Sequence, residues 1–150
     1  MKKHPAYFYN LAFKLVKPTT QKWIGEIEQI VLKWRGVTSE IHPMGGVEFL
    51  FHRKEIGHVH WNGDLDIVFG KKITEELLKT GKVEQHKFVP LSAVTFPLIN
   101  KESIDFGTKL LRLSYLRMLK IKALHDPAIK NFVELELETL PSELKSLFEV

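Results

Sequence analysis

Apolar residues recur at helical spacing toward both ends of this chain and alternate through its middle. Tyr7, Phe8, Leu11 and Leu15 follow i, i+1, i+4 and i+8, the spacing of one helical face, so a first helix is expected over 1–17. Pro18 ends it. Thr19 or Thr20 can cap a second helix, since a hydroxyl accepts a free backbone N–H there. Trp23, Ile24, Ile27, Ile30, Val31 and Trp34 give this helix its apolar side, and Gly36 suits the position just past its end. The period then changes to two. Strands are expected over 37–42, 47–52, 55–61 and 64–69, separated by Pro43-Met44-Gly45-Gly46, Arg53-Lys54 and Asn62-Gly63. Asn-Gly is a strong hairpin signal because both residues tolerate positive φ. A short helix over 73–80 stops at Gly81, and strands over 83–88 and 93–98 follow. Asn100 caps a long helix through about residue 121, with Ile104, Leu111, Tyr115 and Met118 on its inner side. Asp126-Pro127 opens another helix, and Pro141-Ser142 a last short one.

The order α-α-β-β-β-β-α-β-β-α-α defines an α+β chain. The connections among the first four strands are too short for parallel crossovers. The expected architecture is therefore a two-layer sandwich, a mainly antiparallel sheet with helices on one face. A length of 150 residues suits a single domain over 1–150 and can bury a real core. Residues 126–150 read as a C-terminal helical extension.

Composition narrows the function classes. The absence of cysteine excludes a disulfide framework and fits a reducing, cytoplasmic setting. The formal charge is +4, from 22 basic and 18 acidic residues. Lys2, Lys3, Lys14, Lys17, Lys22, Lys33 and Arg35 crowd the first part, whereas Glu134, Glu136, Glu138, Glu143 and Glu149 make the end acidic. No basic motif or stripe is present, which argues against a nucleic-acid partner. The N-terminal apolar run is broken by Lys14 and is shorter than the ~20 residues a membrane span requires. Two readings of that helix remain, packing on the domain or lying on a membrane surface. Its short apolar face favours packing.

Alternation separates the two sides of the sheet. Val47, Phe49, Phe51, Leu65, Ile67 and Phe69 form an apolar side suited to lie under the helices. In the third strand Ile56, His58 and His60 share one side, and Glu55, Gly57, Val59 and Trp61 the other. The polar side then gathers Glu48, His52, His58, His60 and Asp66, with His42 and His86 able to join from neighbouring strands. His58 and His60 lie about 6.6 Å apart along their strand. Such a pair can ligate one metal if a third ligand meets it, with Glu48, Asp66 and His86 as candidates. A metal-free site is the competing reading, in which a histidine takes a substrate proton and a neighbour stabilises the anion. The bland reading is a solvated sheet face.

The segment Lys54-Glu55-Ile56-Gly57-His58-Val59-His60 resembles the Arg-Glu-Ile-(Gly/Ala)-His-x-His motif of the fungal-luciferase-like domain. The likeness continues through Leu65-Asp66-Ile67, Leu77-Leu78, Gly81, His86, Thr95-Phe96 and Leu110-Leu111-Arg112-Leu113-Ser114-Tyr115. Upstream, Trp34, Val37, His42, Gly45-Gly46 and Val47-Glu48-Phe49 fit its bacterial branch, so the resemblance covers roughly residues 27–118. It implies a shared fold and pocket. The named fungal members add dioxygen to a hydroxypyrone and emit light. Val94 stands here where the family places tryptophan, and Asp66 follows the bacterial pattern where the fungal enzyme carries histidine, so light emission is not expected.

These readings set the expected site. His58, His60 and His86 are the catalytic candidates, and Glu48, His52, Glu55, Asp66 and His42 the ligand-binding ones. No cofactor is favoured. A metal, if bound, would fall to His58, His60 and His86. The expected partner is a small molecule, and the expected activity a cofactor-independent oxygenation. The alternative is a non-catalytic protein-interaction module. Oligomeric state is left open.

Overall fold

The structure is a computed structural model that describes residues 2–150. Two helices open the chain, α1 (Pro5–Val16) and α2 (Pro18–Val31). Four strands follow: β1 (Val37–Ile41), β2 (Gly46–Phe51), β3 (Lys54–His60) and β4 (Asp64–Val68). Then come α3 (Lys71–Lys79), β5 (Glu84–Gln85), β6 (Ala93–Pro97), α4 (Lys101–Ala123), α5 (Pro127–Leu137) and α6 (Ser142–Lys145). The strands form one sheet in the order β1-β2-β3-β4-β6-β5, and every pairing is antiparallel. The fold is the expected α+β arrangement.

The helix boundaries follow local chemistry. Asn100 and Ser103 form a reciprocal capping box that satisfies backbone donors at the start of α4. Asp126 accepts from Ala128 and Ile129 at the start of α5, with Pro127 in the first turn. The break between α1 and α2 differs from the sequence expectation. Thr19 and Thr20 lie inside α2, Lys17 occupies the cap position without a side-chain bond, and Pro18 starts the helix. Proline tolerates that position because its missing N–H would have no helical partner there.

The core lies between the helices and one sheet face. Ile24, Ile27 and Val31 from α2 and Ile104, Leu110, Leu111 and Tyr115 from α4 are buried with Phe49, Phe51, Val59, Leu65 and Ile67 from the sheet. Gly57 lets α4 approach closely, since a Cβ there would meet Leu111, Ile67 and the Asp66 carbonyl. The Tyr115 hydroxyl donates to the Arg35 carbonyl at 2.8 Å, which ties α4 to the loop before β1. Helix α1 docks through Tyr7, edge-on to Trp61, and Asn10, whose amide donates to the Met44 carbonyl at 2.7 Å. Phe8, Tyr9, Leu15 and Val16 face outward. No helix among the described residues is long and apolar enough to cross a membrane.

Two local departures bear on the site. The pairing of β2 with β3 shifts between Phe49 and Leu50: Gly57 faces Phe49 and Glu55 faces Leu50, leaving Ile56 as an extra residue. This β-bulge resets the alternation. Ile56 is buried in the core rather than beside His58, and Glu55 moves to the histidine side. The strand expected over 83–88 is also reduced to two residues, because the chain turns at His86.

The bulge is held from the helical layer. Ser114 Oγ, buried in α4, donates to the Ile56 carbonyl at 2.8 Å. Ser114→Ala leaves that buried carbonyl without its partner, so a loss of about 1–3 kcal/mol is expected in urea unfolding. A change below about 0.5 kcal/mol, as surface substitutions give, would show that the bulge holds itself.

Candidate functional site

The face of the sheet opposite the helices collects four histidines from three segments. His58 and His60 come from β3, two residues apart and on one side of the strand. Asp66 on β4 pairs directly with His58 across the ladder, and Glu48 on β2 lies opposite His58 from the other flank. His42 follows β1, and His86 follows β5. The rings pack together: His42 stacks on His58 with centroids 3.8 Å apart and planes 11° apart, and His60 stands edge-on to both. Side chains of His58, His60 and His86 are each only 12% exposed, and that of Asp66 8%, so this is no solvated face.

Asp66 is the hub. Its Oδ2 lies 3.1 Å from His60 Nε2, 3.2 Å from His86 Nε2 and 3.5 Å from His58 Nε2. Its Oδ1 accepts from the Thr95 hydroxyl at 2.5 Å. Burial alone would raise the Asp66 pKa. The hydrogen bonds from His58, His60 and Thr95 outweigh it and hold the carboxyl well below the usual range. Burial would likewise lower the His58 pKa. Hydrogen bonds to Asp66 and Glu55 prevail and raise it to about 9. Glu55 is affected in turn: desolvation pushes it up, and the His58 contact brings it below its ordinary value. Glu48, with no such partner, is raised by burial and by the nearby charges of Glu55 and Glu40.

Hydrogen-bond partners sort the four imidazoles into two kinds. A carbonyl or carboxylate oxygen can only accept, and a backbone N–H can only donate. His58 Nδ1 lies 2.5 Å from Glu55 Oε1, and His60 Nδ1 lies 3.2 Å from the Gly45 carbonyl. Both Nδ1 atoms therefore carry hydrogen. The two Nε2 atoms, 3.2 Å apart, converge on Asp66, and since its carboxylate only accepts, the hydrogen bonds it receives come from Nε2–H groups of this pair. His86 and His42 are the reverse. His86 Nδ1 accepts from the backbone N–H groups of Phe88 and Val89, both at 3.0 Å, so its Nε2 carries the hydrogen and lies 3.2 Å from Asp66 Oδ2. His42 Nδ1 accepts from the Met44 N–H at 3.2 Å. Burial first, then the neighbouring His58 and His60, lower the His42 pKa to about 4, so its stacked ring is neutral.

Local sequence explains this placement. Gly45 and Gly46 adopt φ of +90° and +144°. A Cβ on Gly45 would strike Asn10, and one on Gly46 would fall on the Val59 carbonyl. The glycine pair thereby brings both the Gly45 carbonyl and His42 over the rings. Of the residues expected at the site, His42, Glu48, Glu55, His58, His60, Asp66 and His86 come together. His52 does not. It sits exposed in the β2–β3 turn with φ of +47°, and its neighbours Phe51, Gly36, Tyr115 and Lys122 line a separate cleft of about 450 Å³ beside α4 and α5. Alternation carried it to the polar side on paper, but the turn has already left the ladder at that point. Thr95 and the Gly45 carbonyl were not expected. Thr95 lies opposite Asp66 in the β4–β6 register, a pairing that adjacency in sequence does not reveal.

Fold and site together define an antiparallel α+β domain with a buried histidine–carboxylate cluster on its sheet. Residues 53–114 match the family model described as Luciferase domain, so this segment, which holds His58, His60, Asp66, His86 and Thr95, is a luciferase-like domain. No curated protein and no solved structure matches the chain.

Proposed function

We propose that this chain is a small-molecule enzyme that oxygenates an acidic enol or phenol over the histidine cluster. The observation that supports it best is the convergence of His58 Nε2 and His60 Nε2 on one Asp66 oxygen. Such a group of nitrogens takes up a proton from a bound hydroxyl and holds the resulting anion against a cationic or hydrogen-bonding wall. The luciferase-like segment supports dioxygen as co-substrate. In the step so drawn, the enol O–H gives its proton to His60, and protonated His58 stands beside the resulting anion as the cationic group. The electron pair of the enolate carbon forms a C–O bond to dioxygen, which is reduced to the peroxide level. The proton then returns to the terminal oxygen, giving a hydroperoxide. Asp66 and Glu55 keep the two rings oriented, and His86 and Thr95 keep Asp66 oriented.

The rim suits such a substrate. Phe88, Val89 and Leu91 lie within five residues after His86 and are exposed, offering apolar contact beside the polar cluster. The test is oxygen consumption by the full chain against a panel of hydroxypyrones, catechols and other enolic metabolites. A working substrate should lose roughly 10²- to 10⁴-fold in rate with His60→Ala while its binding persists, as removal of a proton-transfer group does. Uptake that is unchanged in His60→Ala would remove the cluster from the chemistry. Binding without any oxygen uptake would reduce the protein to a carrier of the same ligands.

A further inference from the structure

We propose that His58 Nε2, His60 Nε2 and Asp66 Oδ2 form a binding site for one divalent first-row transition ion, of the two-histidine, one-carboxylate kind. This inference does not depend on the oxygenase reading above. It rests on four observations about these atoms and their partners.

The first is spacing. The three atoms are 3.2, 3.5 and 3.1 Å from one another. Bonds of about 2.0–2.1 Å from a tetrahedral ion to nitrogen and oxygen ligands require edges of about 3.3 Å, and cis edges around an octahedral ion are slightly shorter. The triangle has those edges already. The second is tautomer. His58 and His60 are the two rings whose Nδ1 atoms face an acceptor, Glu55 in one case and the Gly45 carbonyl in the other, so each keeps a supported Nδ1–H when a cation displaces the Nε2 hydrogen that faces Asp66. A carboxylate or carbonyl on the far nitrogen is the usual support of a ligating histidine.

The third is what surrounds the triangle. The sequence left Glu48, Asp66 and His86 as candidates for the third ligand, and His86 was the one named in the expected set. Its Nδ1 accepts two backbone N–H groups, so its Nε2 carries the hydrogen and cannot ligate. Its Nε2 lies 3.2 Å from Asp66 Oδ2, and Thr95 holds the other Asp66 oxygen by a hydrogen bond. His42 is excluded for the same reason, because its Nδ1 accepts from Met44, and its ring stacks flat on His58 as a wall. The near-contact of His42, His58 and His60 that also has metal-like dimensions is therefore a stack and not a ligand set. The fourth is donor chemistry. Two imidazoles and one carboxylate oxygen disfavour Mg²⁺ and Ca²⁺, which take oxygen, and Cu⁺, which takes sulfur. Zn²⁺, Fe²⁺ and Co²⁺ fit. Three protein ligands leave coordination positions open for a bound molecule, as in catalytic rather than structural sites.

The probe is Co²⁺, added to the untagged full chain after chelator treatment and followed by calorimetry and visible absorption. One equivalent should bind. His60→Ala should weaken it by at least roughly 10²-fold, since loss of one of three ligands costs more than the roughly 10- to 100-fold typical of a supporting group. His52→Ala, in the exposed turn, should bind as the parent does. If His60→Ala does not fold, the parent protein alone decides: its Co²⁺ complex should show two hyperfine-shifted, exchangeable imidazole N–H resonances, those of the Glu55- and Gly45-bound Nδ1–H groups. No binding by the folded parent would overturn the proposal. So would binding that survives His60→Ala or vanishes in His52→Ala. Oxygen uptake by the metal-free protein would leave the oxygenase reading standing, and metal binding without uptake would leave this one standing.

Discussion

Asp66→Asn should destabilise the metal-free chain by about 3–5 kcal/mol at mildly acidic pH, the cost of removing one partner from a buried, hydrogen-bonded charge pair. The substitution keeps the shape of the side chain and deletes its charge. His58, whose raised pKa depends on Asp66 and Glu55, would keep only one counter-charge. His60 and His86 would lose the carboxylate oxygen they converge on. An amide can still accept from Thr95, so the loss is in the charge rather than in that hydrogen bond. Thr95→Val, which removes one neutral donor, should cost only about 1 kcal/mol. For a chain of this size, 3–5 kcal/mol corresponds to a Tm lowered by roughly 6–20 °C. The measurement is urea unfolding in chelator at about pH 6 and about pH 9.5, on either side of the range over which His58 discharges. The deficit of Asp66→Asn should shrink at the higher pH, because the parent also loses the His58 charge there. A deficit under about 0.5 kcal/mol at both pH values would show that Asp66 is not the hub of the cluster.

Much of this arrangement could be read from the chain. The alternation of Leu65, Asp66 and Ile67 in β4 and of Glu48 and Phe49 in β2 placed each side chain on the side it occupies. Burial on one face of an antiparallel sheet enforces that pattern. The failures have local causes. The carbonyl at the Ile56 bulge accepts a hydrogen bond from Ser114, 58 residues away, and no pattern within β3 announces it. Alternation alone therefore put Ile56 with the histidines and Glu55 against them. His86 was expected within a strand because Val83 and Phe88 flank it. Its own ring closes a turn by accepting from Phe88 and Val89, so the strand ends after Gln85. That turn decides its chemistry, for it makes Nε2 a donor.

Chain spacing also could not distinguish ligand from support. His-x-His marks two rings on one side of a strand, but four histidines met there. The distinction among them lies in backbone groups, the Gly45 carbonyl and the N–H groups of Met44, Phe88 and Val89. Positive φ at Gly45 and Gly46 was legible as a turn, and its effect on His60 was not.

Stability of the chelator-treated protein should pass through a maximum near the ordinary histidine pKa of 6.5 and fall on both sides, with His42 setting the acid limb and His58 the alkaline one. His58 is raised to about 9 in the fold. The folded state therefore holds a proton that the unfolded chain releases above 6.5. Its contribution is complete below 6.5 and is lost as pH climbs to about 9. His42 is lowered to about 4, so the unfolded chain takes up a proton that the fold refuses. Stability is complete above 6.5 on this account and declines as pH falls toward about 4. The groups that face these two rings are Glu55, Asp66 and His60, with Glu48 across the ladder from His58. Asp66 and Glu55 have lowered pKa values, so their own losses come only at pH below the ordinary carboxylate range and do not shape the window. Each limb has a limiting slope of about 1.4 kcal/mol per pH unit and a total of no more than about 3–4 kcal/mol. The stacked rings titrate as a coupled pair, which brings the observed totals below that bound. Urea unfolding at about pH 4.5, 6.5 and 9 measures the curve, and His42→Phe assigns its acid side. Phenylalanine retains a flat ring against His58 and has no proton to refuse, so the acid limb above about pH 4.5 should flatten while the alkaline limb stays. A profile that is level between the two histidine limits, or an acid limb untouched by His42→Phe, would mean that the cluster's rings are not held in the protonation states that their hydrogen bonds dictate.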